Sequence, residues 1–255
     1  MGETPAVRND VMLDPFGATW AEMREAALVA EEAGCSGVWT WDHLAGAVHR
    51  RPHVLECWTV LSALATETAS VTLGPLVLNV ANRRPGVVAQ MAATLQEVCG
   101  GRLLLGIGAG GGQSSPYGLE QEALGVEVAD DATRRRQVED AIATIRHTWT
   151  GAGVGFLQPD PVPPIVLAGF GPKMATLAGR VADGFNTQAA NPRLGSLIET
   201  ALGAAEAAGR DAATFEISVF GRSDPEPLER LGVARQILTF SAPYELGAIR
   251  ALGGG

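Results

Sequence analysis

The stretch VTLGPLVLNVANRRPGVVAQMAATLQEVCGGRLLLGIGAGGG, residues 71–112, decides the fold. It reads as an apolar strand, a helix opened by Pro85, and a second apolar strand that runs into five glycines within seven residues. Strands covered on both faces read as near-continuous Val, Leu and Ile runs, and a helix of about a dozen residues between two of them is the crossover of a parallel sheet. The stretch is therefore a βαβ unit of an α/β protein. Both strands end in residues that let backbone approach a ligand: Gly74-Pro75 in the first, and Gly106, Gly108, Gly110, Gly111 and Gly112 in the second. Parallel α/β folds bind ligands at the carboxyl ends of their strands, so chemistry is expected there.

Outward from this unit the alternation continues. Upstream, residues 7–13 form a short strand interrupted by Arg8, Asn9 and Asp10. Thr19 with Glu22 makes a capping box for a helix that stops at Gly34. Residues 35–41 form a second strand that delivers Asp42 and His43 to its carboxyl end, and a helix follows at 54–68. Downstream, the polar segment 113–131 precedes a charged helix at 132–149, and a Pro-rich connection leads to a compact strand at 165–168. Helix 174–181, strand 185–188, helix 193–208, strand 215–220, helix 225–231, strand 234–240 and helix 244–252 complete the series. Eight strand-helix pairs in roughly 250 residues predict a (β/α)8 TIM barrel rather than an open doubly wound sheet, with one domain over 1–255.

A competing motif lies in the same glycines. Gly106, Gly108 and Gly111 satisfy the dinucleotide fingerprint G-x-G-x-x-G. That fingerprint opens directly into a helix and usually occupies the first βα turn. Here QSSPYG follows it, after three earlier strands, so the nicotinamide-binding reading is set aside.

Composition bounds the function. A chain of 255 residues with 46% hydrophobic content can bury a full-sized core. Its net charge of -9 argues against nucleic acid and anionic membranes as partners. Cys35, Cys57 and Cys99 are odd in number and set among apolar residues, which predicts buried thiols in a reducing cytoplasm. No metal-ligand spacing is present. The N-terminus MGETPAVRND has no apolar core and no run of about 18 apolar residues occurs, which argues against secretion and membrane spanning.

Four ordered segments then carry a family resemblance: WDHL at 41–44, LGPLVLNVANRRP at 73–85, GGRLLLGIGAGG at 100–111 and LAGFGPKMATLAGRVADGFNT at 167–187. The chain resembles the luciferase-like monooxygenase superfamily. The resemblance implies a bacterial-luciferase-like barrel, here with shortened insertion loops, that uses the deazaflavin coenzyme F420 or FMN. It also implies a homodimer acting on a small molecule. His43 matches the position at which deazaflavin-dependent relatives place a histidine near the reactive carbon; an imidazole there moves a proton or bonds the substrate oxygen. Asp42 is a catalytic candidate or a brace for that ring.

The Leu76-Val77 link matches a non-prolyl cis peptide that backs the cofactor ring, with Asn79 beyond it as a ring partner or a turn former. Gly108 and Gly110 lie at the same rim. For the cofactor phosphate, Gly169, Phe170, Gly171, Pro172 and Lys173 form a helix start that attracts anions, although a lysine there is equally a solvated surface residue. Thr187 is a lesser cofactor-binding candidate. One departure stands out: Gly111 occupies the place where a deazaflavin-dependent sugar-phosphate dehydrogenase has a glutamate. Glu120 or Glu122 is a candidate substitute for that acid, with acids on a helix surface as the plainer reading. The expected activity is hydride transfer between F420 and a small organic substrate. The alternatives are an FMN-dependent monooxygenase served by a separate reductase, and a flavin-binding barrel without turnover.

Overall fold

A computed structural model describes residues 6–253; residues 1–5 and 254–255, which include part of the N-terminal reading above, lie outside it. The elements are β1 (Arg8–Asp14), α1 (Trp20–Glu32), β2 (Gly37–Thr40), α2 (Cys57–Glu67), β3 (Thr72–Pro75), β4 (Leu78–Asn79), α3 (Pro85–Val98) and β5 (Leu105–Gly108). Then come α4 (Pro116–Ala123), α5 (Asp131–Trp149), β6 (Ile165–Ala168), α6 (Pro172–Val181), β7 (Gly184–Gln188), α7 (Leu194–Ala207), β8 (Glu216–Phe220), α8 (Pro225–Arg230), β9 (Arg235–Ser241) and α9 (Leu246–Arg250).

The strands run in the order β3-β2-β1-β9-β8-β7-β6-β5-β4, and every paired neighbour is parallel. β3 and β4 are two halves of the third barrel strand, separated by the Leu76-Val77 peptide, which is cis. A parallel bridge between Leu73 and Leu103 joins β3 to the entry of β5, with Leu104 N–H donating to the Leu73 carbonyl at 2.9 Å, and this closes the ring. The eight predicted strand-helix pairs are thus present, as a TIM barrel.

Alternation along each strand sorts side chains into two layers. Val11, Leu13, Val38, Phe185, Ile217 and Val219 point outward into the large core between barrel and helices. Met12, Trp39, Leu76 and Ile237 pack inside the barrel. Gly74 makes room for that interior, because a Cβ there would lie 2.6 Å from the Trp39 indole and 2.5 Å from the Leu104 carbonyl oxygen. The polar interruption in β1 also has a place. Asp10 plugs the amino end of the barrel, accepting from Trp39 Nε1 and Arg235 at 2.7 Å each, while Arg235 also donates to Glu216. A buried charge persists when it is paired in this way.

The helix boundaries follow local chemistry. The Thr19/Glu22 capping box is formed at α1. α2 begins at Cys57, three residues later than its apolar pattern suggests, because Glu56 caps it by accepting from the Trp58 and Thr59 amides. The polar segment after β5 contains the helix α4, capped by Ser115. The three cysteines are free and buried. No helix of the described residues is long and apolar enough to cross a membrane.

Candidate active site

A pocket of about 630 Å³ opens at the carboxyl ends of the strands. A second cavity of about 530 Å³ lies near the amino ends, where Arg146 and Arg210 close onto Asp183. Catalytic groups of parallel barrels gather at the carboxyl face, so the first is the candidate site. Asp183 holds the opposite end together through these two arginines.

His43 lies where the chain leaves β2. Its ring stacks on Tyr117 with centroids 5.0 Å apart and an interplanar angle of 26°, and it packs against Phe16 at 5.3 Å. Trp41 stacks on His49 at 5.6 Å, so this wall of the pocket is aromatic. The Nδ1 atom of His43 is 2.8 Å from Glu120 Oε2. Glu120 Oε1 meanwhile accepts from the main-chain N–H groups of Leu44 and Ala45 at 2.5 and 2.6 Å. Burial pushes the Glu120 carboxyl upward, but the bonds from His43, Leu44 and Ala45 outweigh it and hold the group below its ordinary value. The helix-surface reading of Glu120 is therefore corrected: it is 6% exposed and faces inward from α4, whereas Glu122 is exposed as expected.

Asp42 is buried beside His43, and both of its oxygens are taken. The Arg83 guanidinium reaches Oδ2 and Oδ1 at 2.8 and 2.9 Å, and the Asn79 N–H donates to Oδ2 at 2.9 Å. That geometry suits a brace. Asn79 is also engaged locally, its Oδ1 accepting from the Ala81 N–H and its Nδ2 donating to Asn82, as in an Asx turn. Gly108 and Gly110, from the glycines that end the second strand of the βαβ unit, line the pocket, and so do Leu76, Val77 and Asn79, which the family resemblance singles out.

The phosphate candidates divide. Gly169 and Phe170 line the pocket, whereas Gly171, Pro172 and Lys173 lie outside its lining and Lys173 is exposed. The N–H groups of Phe170, Gly171 and Lys173 take no acceptor among the described residues, which leaves free donors at the start of α6. Free N–H groups at a helix start hold an anion without any lysine. Thr187 is a correction. It is fully buried with Oγ1 unpartnered and points into the helix layer with Phe185, while its neighbours Asn186 and Gln188 face the pocket. The phase of a barrel strand decides this, since inward and outward residues alternate.

Sequence reasoning missed Tyr117 and the pair Arg134 and Arg135, which line the pocket from α4 and α5. Arg134 is held by the Ala109 and Gly110 carbonyls and by Asp131. The Ser115-Pro116 cap and first turn was the local signal that could have revealed α4.

With this geometry established, comparisons place the chain. Residues 5–223 match the family described as luciferase-like monooxygenase. An F420-dependent hydroxymycolic acid dehydrogenase of Mycobacterium tuberculosis is 31% identical over 203 residues, covering 74% of this chain and 55% of that relative. An F420-dependent glucose-6-phosphate dehydrogenase of Microbacterium testaceum is 32% identical over 180 residues, covering 65% and 52%. The chain spans about half the length of these curated relatives. Among solved structures, an F420-dependent secondary alcohol dehydrogenase in complex with an F420-acetone adduct superposes with a TM-score of 0.84 over 98% of both chains, at 18% identity, a likeness of fold.

Proposed function

The chain belongs to the luciferase-like monooxygenase family, and from that premise we propose that it is an oxidoreductase moving a hydride between coenzyme F420 and a small organic substrate. The observation that carries the reading is a histidine, His43, held in the wall of a carboxyl-face pocket that backbone and apolar groups suited to a planar ring also line. The F420-dependent activities of the similar relatives support the same coenzyme.

The residues present fit such a group. Leu76 and Val77 offer an apolar surface on which a ring system rests, and Gly108 and Gly110 keep the adjoining rim free of side chains. The free amides of Phe170, Gly171 and Lys173 would take its phosphate. When bound, the deazaflavin supplies two-electron hydride chemistry. The chain's part is to orient the substrate, to keep the aromatic wall dry, and to move a proton at His43. Asp42 works as the brace that keeps the His43 loop in register with the third strand.

Titration of the purified protein with F420 and, separately, FMN, read by ligand fluorescence and thermal shift, tests this. Saturable binding of F420 alone is expected. Binding of FMN alone, with a flavin hydroperoxide on mixing the reduced complex with oxygen, would replace the proposal with a monooxygenase.

A further inference from the structure

Glu120 has an arrangement that the family reading does not require. It comes from α4, 77 residues from His43 in sequence, and its side chain is 4% exposed. Three donors converge on it: the Leu44 and Ala45 amides on Oε1 and the His43 ring on Oε2. Two of these are backbone N–H groups that can only donate, so they select an acceptor at this position. An ionised carboxylate has only lone pairs to offer, and therefore His43 Nδ1 must carry the hydrogen in the contact. A neutral ring then has its lone pair on Nε2, which has no partner among the described residues.

We infer that Glu120 is a positioning residue that fixes the tautomer of His43 and makes Nε2 the proton acceptor facing the pocket. It stands on α4, outside the glycine run that ends in Gly112, and it acts through the histidine rather than on the substrate. The site then suits an alcohol whose carbinol carbon carries a hydrogen. In the oxidative direction the O–H bond breaks and its proton goes to Nε2. The C–H bond breaks with its electron pair leaving as hydride to the deazaflavin, a C=O bond forms, and the substrate loses two electrons. The imidazolium so formed sits against the Glu120 carboxylate. The reaction rests on the F420 reading above; the tautomer does not.

The test is nitrogen NMR of 15N-histidine-labelled protein without coenzyme, at a pH where the ring is neutral, comparing the native chain with Glu120→Gln and with the surface control Glu122→Gln. In the native chain and in the control, His43 is expected as the Nδ1–H tautomer. In Glu120→Gln the amide oxygen stays on the Leu44 and Ala45 N–H groups and its NH₂ turns toward the ring, so the tautomer inverts to Nε2–H. With F420 and an alcohol, the same variant should lose about 100-fold in kcat with KM changed by no more than about twofold. Native His43 found as Nε2–H overturns the inference, and it decides the matter even if Glu120→Gln does not fold. A Glu120→Gln chain that keeps the Nδ1–H tautomer overturns it as well. Inversion of the tautomer without F420-dependent turnover in either chain supports the dyad and sinks the coenzyme reading instead.

Discussion

The Arg83 guanidinium forks onto both carboxylate oxygens of Asp42, and its Nη2 also donates to Glu56 Oε1 at 2.6 Å. Because Glu56 caps α2, one arginine ties together the loop after β2, the start of α2 and the approach to α3. The Asp42 side chain is fully buried and Arg83 is 14% exposed, so the fork lies largely out of water.

Removing the arginine should be expensive. Breaking a buried pair from one side leaves the other charge unsolvated, a loss of about 3 kcal/mol or more. Arg83→Ala is expected to lower the unfolding free energy by roughly that amount in urea titrations. A loss under about 1 kcal/mol would mean that Asp42 finds water or another partner and that the brace is not structural.

His43→Ala should separate chemistry from binding. The imidazole moves a proton and does not hold the coenzyme, so affinity for F420 should persist while kcat falls by roughly 10²-fold to 10⁴-fold. Fluorescence titration beside steady-state kinetics measures both, and unchanged kcat would favour a binding barrel without turnover.

Acid should loosen α4. The Glu120 carboxyl is held below its ordinary value of 4.5, so its contribution to stability is present in full above that value and is lost as the pH falls through the lower, folded one. Urea unfolding of the native chain and of Glu120→Gln between pH 6 and pH 3, a range of about three units set by the carboxylate reference, should show a stability gap that closes only toward the acid end. A gap that is constant across the range would contradict the shift.

The phosphate reading divides backbone from side chain. Lys173 is exposed and lies outside the pocket lining, while the free amides come from the chain itself. Lys173→Ala is therefore expected to bind F420 within about twofold of the native chain, since a solvated charge contributes little. A tenfold loss by fluorescence titration would return the phosphate to the lysine.

Packing inside the barrel predicts a stability effect at Gly74, two residues before the pocket-lining Leu76. Gly74→Ala places a methyl against the Trp39 indole and the Leu104 carbonyl, and overpacking of this kind costs about 1–3 kcal/mol. Thermal unfolding should show the loss, and a neutral result would mean that the third strand can shift outward.

Much of the barrel could be read from residues 71–112 because parallel strands announce themselves locally, as short apolar runs separated by helical periods. The same local logic brought His43, Gly108 and Gly110 to one rim, since each follows or ends a strand, whereas Leu76, Val77 and Asn79 are singled out by the family resemblance. Thr187 shows where it stops. Inward and outward residues of a strand alternate, and nothing in FNTQ alone says which phase faces the axis; the pairing of Asn186 with Ser218 across β7 and β8 does.

Glu120 and Arg83 mark the same boundary. On a short helix after β5, an acid looks like any solvated side chain, and only the folding of α4 over the β2 loop buries it against His43. Likewise Arg83 reads as part of a polar turn until Asp42 and Glu56 meet it from two other elements. Hydrophobic period and turn chemistry are properties of neighbours in the chain, and they determined the barrel and the location of its rim. The charge state and orientation of the groups on that rim are set by distant groups brought within 3 Å in low dielectric, and those only the tertiary structure decided.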